Sequence, residues 1–150
     1  MDDQSKTAIS TLNSLIETCN DGAQGFQTAA KELQDSSAKA LFNKYAGERG
    51  QFAAELRGEV QRLGGTPEEG GSVSGTVHRG WMNIKSAIAG HSDSAIIAEA
   101  ERGEDVAVQS YEKALQSDLP PQVQPTIQRQ FTQVKSAHDR VRELERSHTR

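Results

Sequence analysis

The chain has 150 residues, 34% of them hydrophobic, and a formal net charge of −4 at pH 7. That length suits a single domain, residues 1–150, with a sizeable core. The acidic balance and scattered basic residues argue against a nucleic-acid binder, and no apolar run is long enough to span a bilayer.

The polar start, Met1-Asp2-Asp3-Gln4-Ser5, is not a secretory leader, and the single cysteine, Cys19, excludes an internal disulfide. The expected compartment is therefore the cytoplasm. From Ser5 to Leu33 apolar residues alternate at spacings of three and four: Ile9, Leu12, Ile16, Cys19, then Ala23, Phe26, Ala30 and Leu33. This predicts a first helix with one buried seam. Ala8, Leu15, Gly22 and Ala29 widen the same face. Within it, Asn20-Asp21-Gly22 places three poor helix formers together. The helical wheel puts Asp21 on the face opposite the seam, free to pair outward with Arg79 or Lys85. Gly22 and Gly25 allow close helix approach or, alternatively, form a small-residue face for self-association into a homo-oligomer.

Asp35-Ser36-Ser37 marks a break and an N-cap. A second helix follows from about 37 to 63 with seam Phe42, Tyr45, Arg49, Phe52 and Leu56, and stops at Gly64-Gly65-Thr66-Pro67. So short a turn makes the first two helices antiparallel neighbours. Residues 64–92 form a long connection. It begins Gly-rich and then carries a short amphipathic stretch, Val77–Ala89, whose Trp81 plugs onto the bundle. His78, Arg79, Trp81 and Lys85 are alternatively a ligand patch. Ser92 or Asp93 caps a third helix over 94–116, with seam Ile97, Ala100, Glu104, Ala107, Tyr111 and Ala114. Pro120 and Pro121 end the following turn, and a fourth long helix runs from 123 to 147 through Val123, Ile127, Gln130, Val134, Ala137, Val141 and Leu144.

The plan is all-α: two antiparallel hairpins joined by a long crossover that carries a short fifth helix. At ~1.5 Å per residue the long helices are about 35–45 Å in length. A connection this long returns along the bundle, making the second and third long helices parallel, as in ferritin-like folds.

Two charges interrupt this apolar pattern. Glu104 and Arg49 sit in seams, where a charge must be paired, metal-bound or neutralised. Matching positions by distance from each turn puts Glu48, Arg49, Glu101, Glu104 and His138 near mid-bundle. Glu48-Arg49, Glu101-Arg102-Gly103-Glu104-Asp105 with Tyr111, His78-Arg79-Gly80-Trp81, His138-Asp139 and Cys19-Asn20-Asp21-Gly22 together resemble a bacterial ferritin-like family, named only as a domain of unknown function (number 2383). The resemblance covers nearly the whole chain and implies a ferritin-like four-helix bundle. It implies no activity.

Di-metal bundles of this class take one Glu from each of two helices and Glu-x-x-His from each of the other two. Here the second helix offers Glu48-x-x-Gln51 and the fourth Lys135-x-x-His138, while the first offers no inward carboxylate. Glu48, Glu104 and His138 remain as candidate metal ligands, with Glu101 beside them. With an effective dielectric near 20 and a separation near 5 Å, a guanidinium opposes a dication by about 6–7 kcal/mol. The sequence therefore points to a structural polar core of Arg49, Glu48, Glu101, Glu104 and His138, without a cofactor and in a non-enzymatic interaction or stress-related protein whose partner it does not name. The alternative is an iron or manganese carboxylate bundle.

Glu145-x-x-His148 is a literal match to Glu-x-x-His, but it lies at the end of the chain, where chance is the better reading; His91 is at the same bundle end. No Ser/His/Asp arrangement is legible, and Gly-rich 64–75 lacks the ending of a phosphate-binding loop. Cys19, in the seam, is expected to be an inert buried thiol.

Overall fold

A computed structural model describes residues 2–68, 81, 83–90 and 92–149. The crossover residues His78, Arg79 and Gly80, the start of the amphipathic stretch at Val77, and His91 lie outside the described residues. The helices are α1 (Asp3–Glu32), α2 (Ser36–Arg62), α3 (Ile84–Ala89), α4 (Asp93–Gln116) and α5 (Gln124–Thr149). The four long helices begin and end within two residues of the expected bounds.

Local chemistry explains the boundaries. Asp2, Asp35 and Ser92 each cap a helix through a side-chain oxygen, taking otherwise orphaned amides of the first turn. Helix α2 stops at a Schellman motif: Gly64 has φ 85°, its N–H donates to Gln61 O at 3.0 Å, and Gly65 N–H donates to Val60 O at 3.0 Å. Gly65 then lies so close to Ile9 that an added Cβ would come within 2.7 Å of that side chain.

End-to-end contacts fix the topology. Asp93 at the start of α4 accepts hydrogen bonds from Gln34 and Asp35 just before α2, so α2 and α4 are parallel. Gln4 of α1 donates to Asp118 beyond α4, and Glu59 near the end of α2 accepts from Thr126 near the start of α5. Hence α1/α4 and α2/α5 are antiparallel. The expected ferritin-like architecture of hairpin, crossover and hairpin is the observed one.

The apolar interior falls into two clusters. One holds Leu12, Leu15, Ile16, Phe52, Leu56 and Ile127; the other holds Phe26, Phe42, Trp81, Ile97, Ala100 and Val141. Gly22, Arg49 and Glu104 occupy the layer between them, one on each of three helices.

The crossover is fastened by Trp81, which is 1% exposed and meets Phe26 edge-on at a centroid distance of 4.9 Å. Its indole fills the space left by two missing side chains: a Cβ on either Gly25 or Gly103 would lie 2.3 Å from it. Trp81 thus plugs the crossover into the α1–α4 groove, as the sequence predicts.

Two features of α1 differ from an open outer face. Asp21, on the face opposite the seam, is not open to solvent but is 6% exposed. It lies one turn before Gly25, against which Trp81 packs. Gly22 and Gly25 do not form a free small-residue face either. Arg49 and Trp81 of the same chain occupy the space beside them, so any self-association uses another surface.

Candidate functional site

Mid-bundle, Arg49 reaches from α2 to α4 and binds Glu104 with both arms. Nη1 donates to Oε1 at 2.7 Å and Nη2 to Oε2 at 2.6 Å. The side chains are 2% and 0% exposed, respectively. This is the fork-to-fork geometry in which a guanidinium matches a carboxylate best. The cation also lies 5.5 Å from the centroid of the Phe26 ring.

Gly22 makes room for the pair: a Cβ there would stand 3.1 Å from Arg49 Nη1. Burial acts to lower the pKa of Arg49, but the charge and hydrogen bonds of Glu104 outweigh it, leaving the guanidinium above its ordinary value. The oddity Asn20-Asp21-Gly22 is thereby resolved in part. Asn20 Oδ1 accepts from Arg57 Nη2 at 3.3 Å, and Gly22 accommodates Arg49.

One turn along the bundle, a chain of hydrogen bonds crosses all four long helices. Tyr111 Oη donates to Gln130 Oε1 at 2.8 Å, while the Gln130 amide nitrogen faces Phe52 O at 3.3 Å and Glu55 Oε1 at 3.0 Å. These two acceptors fix the amide orientation and commit the tyrosine proton to Gln130. Cys19 Sγ, 3.1 Å from Tyr111 Oη, is then the donor in that contact. Burial pushes the thiol up to about 11, although the Tyr111 hydrogen bond opposes the shift. Cys19 is buried, as its place in the seam predicts. Tyr111 is likewise raised well above the usual phenol value, chiefly by burial.

The other expected polar residues are not joined to the central pair. His138, 5% exposed, faces Asp105 Oδ1 with Nε2 at 2.6 Å and Asp139 Oδ1 with Nδ1 at 3.1 Å. The His138 contact holds Asp139 below the usual carboxylate value. Glu101 Oε2 is buried without a hydrogen bond and lies 3.6 Å from Arg142 Nε. Arg142 Nη2 in turn lies 3.5 Å from His138 Nε2, so Glu101, Arg142, His138 and Asp105 form a second cluster between α4 and α5. Glu48 is half-buried, and among the described residues no hydrogen bond or ion pair ties it to Arg49 or Glu104. Its charge acts on Tyr45, whose hydroxyl is pushed up to about 12 by burial first and by Glu48 and Glu104 next.

These donors do not fit a di-metal centre. Both oxygens of Glu104 are taken by Arg49. Both ring nitrogens of His138 are already engaged by Asp105 and Asp139. Among the described residues no three His, Cys, Asp or Glu side chains are grouped to hold an ion.

Two buried acids escaped the sequence analysis. Glu99, 1% exposed, accepts from Asn83 N at 2.7 Å and pairs with Arg102, tying the crossover to α4. Glu59, 6% exposed, accepts from Thr126 at 2.8 Å and pairs with Arg62 at 2.8 Å. The contact to Glu99 is made by the backbone amide of Asn83, which no side-chain pattern announces.

The helical order and the central pair define a ferritin-like four-helix bundle with an ion pair across its middle. The chain belongs to the family described as a domain of unknown function (DUF2383), whose model matches residues 7–117, from α1 through α4. Among solved structures, a point mutant of Dps1 from Mycobacterium smegmatis is similar over 97% of this chain and 99% of its own, with a TM-score of 0.78 at 13% identity. That is a likeness of fold. No curated protein matches the chain.

Proposed function

We propose that this is a non-enzymatic ferritin-like bundle protein, of the accessory or stress-related kind, which acts by interaction with other proteins. In its centre Arg49 holds the positive charge that a metal ion holds in di-metal bundles. The observation that carries this reading is the bidentate Arg49–Glu104 pair, sealed from solvent and using both oxygens of the best-placed carboxylate. A dication would have to displace or sit beside a fixed guanidinium, against the charge repulsion estimated from the sequence. A role by interaction fits a helical body whose reactive groups, Cys19 and Tyr111 among them, are enclosed.

The test is metal loading. Purified, untagged protein is incubated with Fe(II), Mn(II) or Zn(II), and bound metal per chain is measured with the melting temperature. The expected result is no stoichiometric uptake and no thermal shift. Stoichiometric binding at about micromolar affinity or tighter, roughly −8 kcal/mol, that is abolished by Glu104→Ala would overturn the proposal in favour of an iron or manganese carboxylate bundle.

A further inference from the structure

Three parts of the chain meet at one end of the bundle: the α1–α2 turn, the start of α4 and the last turn of α5. Asp93 of α4 accepts from both turn amides, Gln34 N and Asp35 N, each at 2.9 Å. Asp35 caps α2 through Oδ1, while its Oδ2 lies 3.1 Å from His148 Nε2. The other ring nitrogen, His148 Nδ1, lies 2.9 Å from Leu144 O, one turn back along α5. Ser94 Oγ of α4 donates to His148 O at 3.0 Å.

A carboxylate and a carbonyl oxygen only accept hydrogen bonds. The imidazole makes both contacts at once only when both of its nitrogens carry hydrogen, that is, as the cation. A cation is also favoured at this place because it stands at the negative end of α5.

We propose that His148 is a pH-sensitive clasp fastening the last turn of α5 to the α1–α2 turn, closed when the imidazole is charged and open when it is neutral. The charged groups around it favour the closed form. Asp35 comes from the turn and Asp93 from α4, both acidic. On α5 itself Glu145 and Arg146 are of opposite sign, as are Lys31 and Glu32 at the end of α1.

The contacts to Asp35 and Leu144 need hydrogen on both ring nitrogens, so they are made by the charged ring and are lost when it gives up a proton. At the acid end the limit is Asp35. The amides of Ala38 and Ser37, with the charge of His148, hold its carboxyl below the usual carboxylate range, so Asp35 stays ionised at every pH above that range. Opening is local, because the bonds from Gln34 and Asp35 to Asp93 do not involve the imidazole.

The experiment is NMR on the full chain, with the imidazole nitrogens and the amide exchange of residues 145–148 followed from about pH 5.5 to about pH 8.5, a range spanning the imidazole transition. Both His148 nitrogens are expected to be protonated at the acid end. Amide protection, corrected for intrinsic exchange, should fall severalfold across the range. His148→Gln and Asp35→Asn should each abolish that pH dependence while keeping the fold. A neutral single tautomer at the acid end, or the same loss of protection in the wild type and His148→Gln, would overturn the clasp.

Discussion

At the scale of the residue, Arg49 and Glu104 have unequal consequences when removed singly and together. Arg49→Ala strands an enclosed carboxylate and is expected to destabilise the protein by about 3–5 kcal/mol in denaturant titration. The double change Arg49→Met with Glu104→Leu should cost much less, because it removes both desolvated charges and fills the same space with apolar atoms. A harmless single change would mean that the pair is solvated. Cys19 gives a second residue-level prediction. Its thiol is enclosed, committed as a donor and pushed up to about 11, so labelling by a thiol reagent at neutral pH should proceed no faster than global unfolding. Rapid labelling of the folded protein would show that the Cys19–Tyr111–Gln130 layer opens by itself.

Among the elements, the crossover offers the sharpest test, because Trp81 is the only tryptophan in the chain. Its fluorescence should be that of a buried indole and should report crossover docking directly. Trp81→Ala is expected to cost about 3–5 kcal/mol as a large-to-small change in a packed site. Gly25→Ala and Gly103→Ala should each cost about 1–3 kcal/mol by overpacking and shift the Trp81 emission toward that of exposed indole. The long helices themselves were legible because a seam at spacings of three and four admits no other periodic structure, and the same seams exposed Arg49 and Glu104 as misplaced charges. The burial of Asp21 and of Glu99 was passed over for a related reason. A helical wheel sees only the face turned to the bundle centre. It does not see a second face covered from outside, as Asn83 of the crossover covers Glu99. The grouping of Glu48, Glu101 and His138 with the central pair failed on another ground: equal depth along a bundle does not fix which neighbouring helix a side chain turns toward.

For the whole molecule, the seams differ in kind. Helices α1 and α4 approach around Trp81 on glycine, whereas α2 and α5 are joined by polar contacts: Glu59 with Thr126, and Glu55 with Arg129 and Gln130. Hydrogen bonds from Arg129 and Gln130 outweigh burial and hold the Glu55 carboxyl below its ordinary value. With the sign that applies to a depressed carboxyl, this contribution is present at neutral pH and is lost as pH falls through the carboxylate range. The wild type should therefore lose more melting temperature on acidification than Glu55→Gln does. Equal losses would show that the α2–α5 contact carries no net linkage.

The interrupted core has one more consequence, for alignment. Along α2 the seam reads Phe42, Tyr45, Phe52 and Leu56 around Arg49, and similar apolar residues would meet if the helix slid along its partners by a heptad. Greasy surfaces alone discriminate weakly between such settings. Arg49 does not, because a shift of even one turn, about 5.4 Å, would leave it and Glu104 each facing hydrocarbon with no counter-ion. The salt bridge is a registration pin for two parallel helices that are not joined by a short turn. Since a guanidinium stays charged throughout the accessible range, the pin holds at pH values where a histidine clasp has already let go.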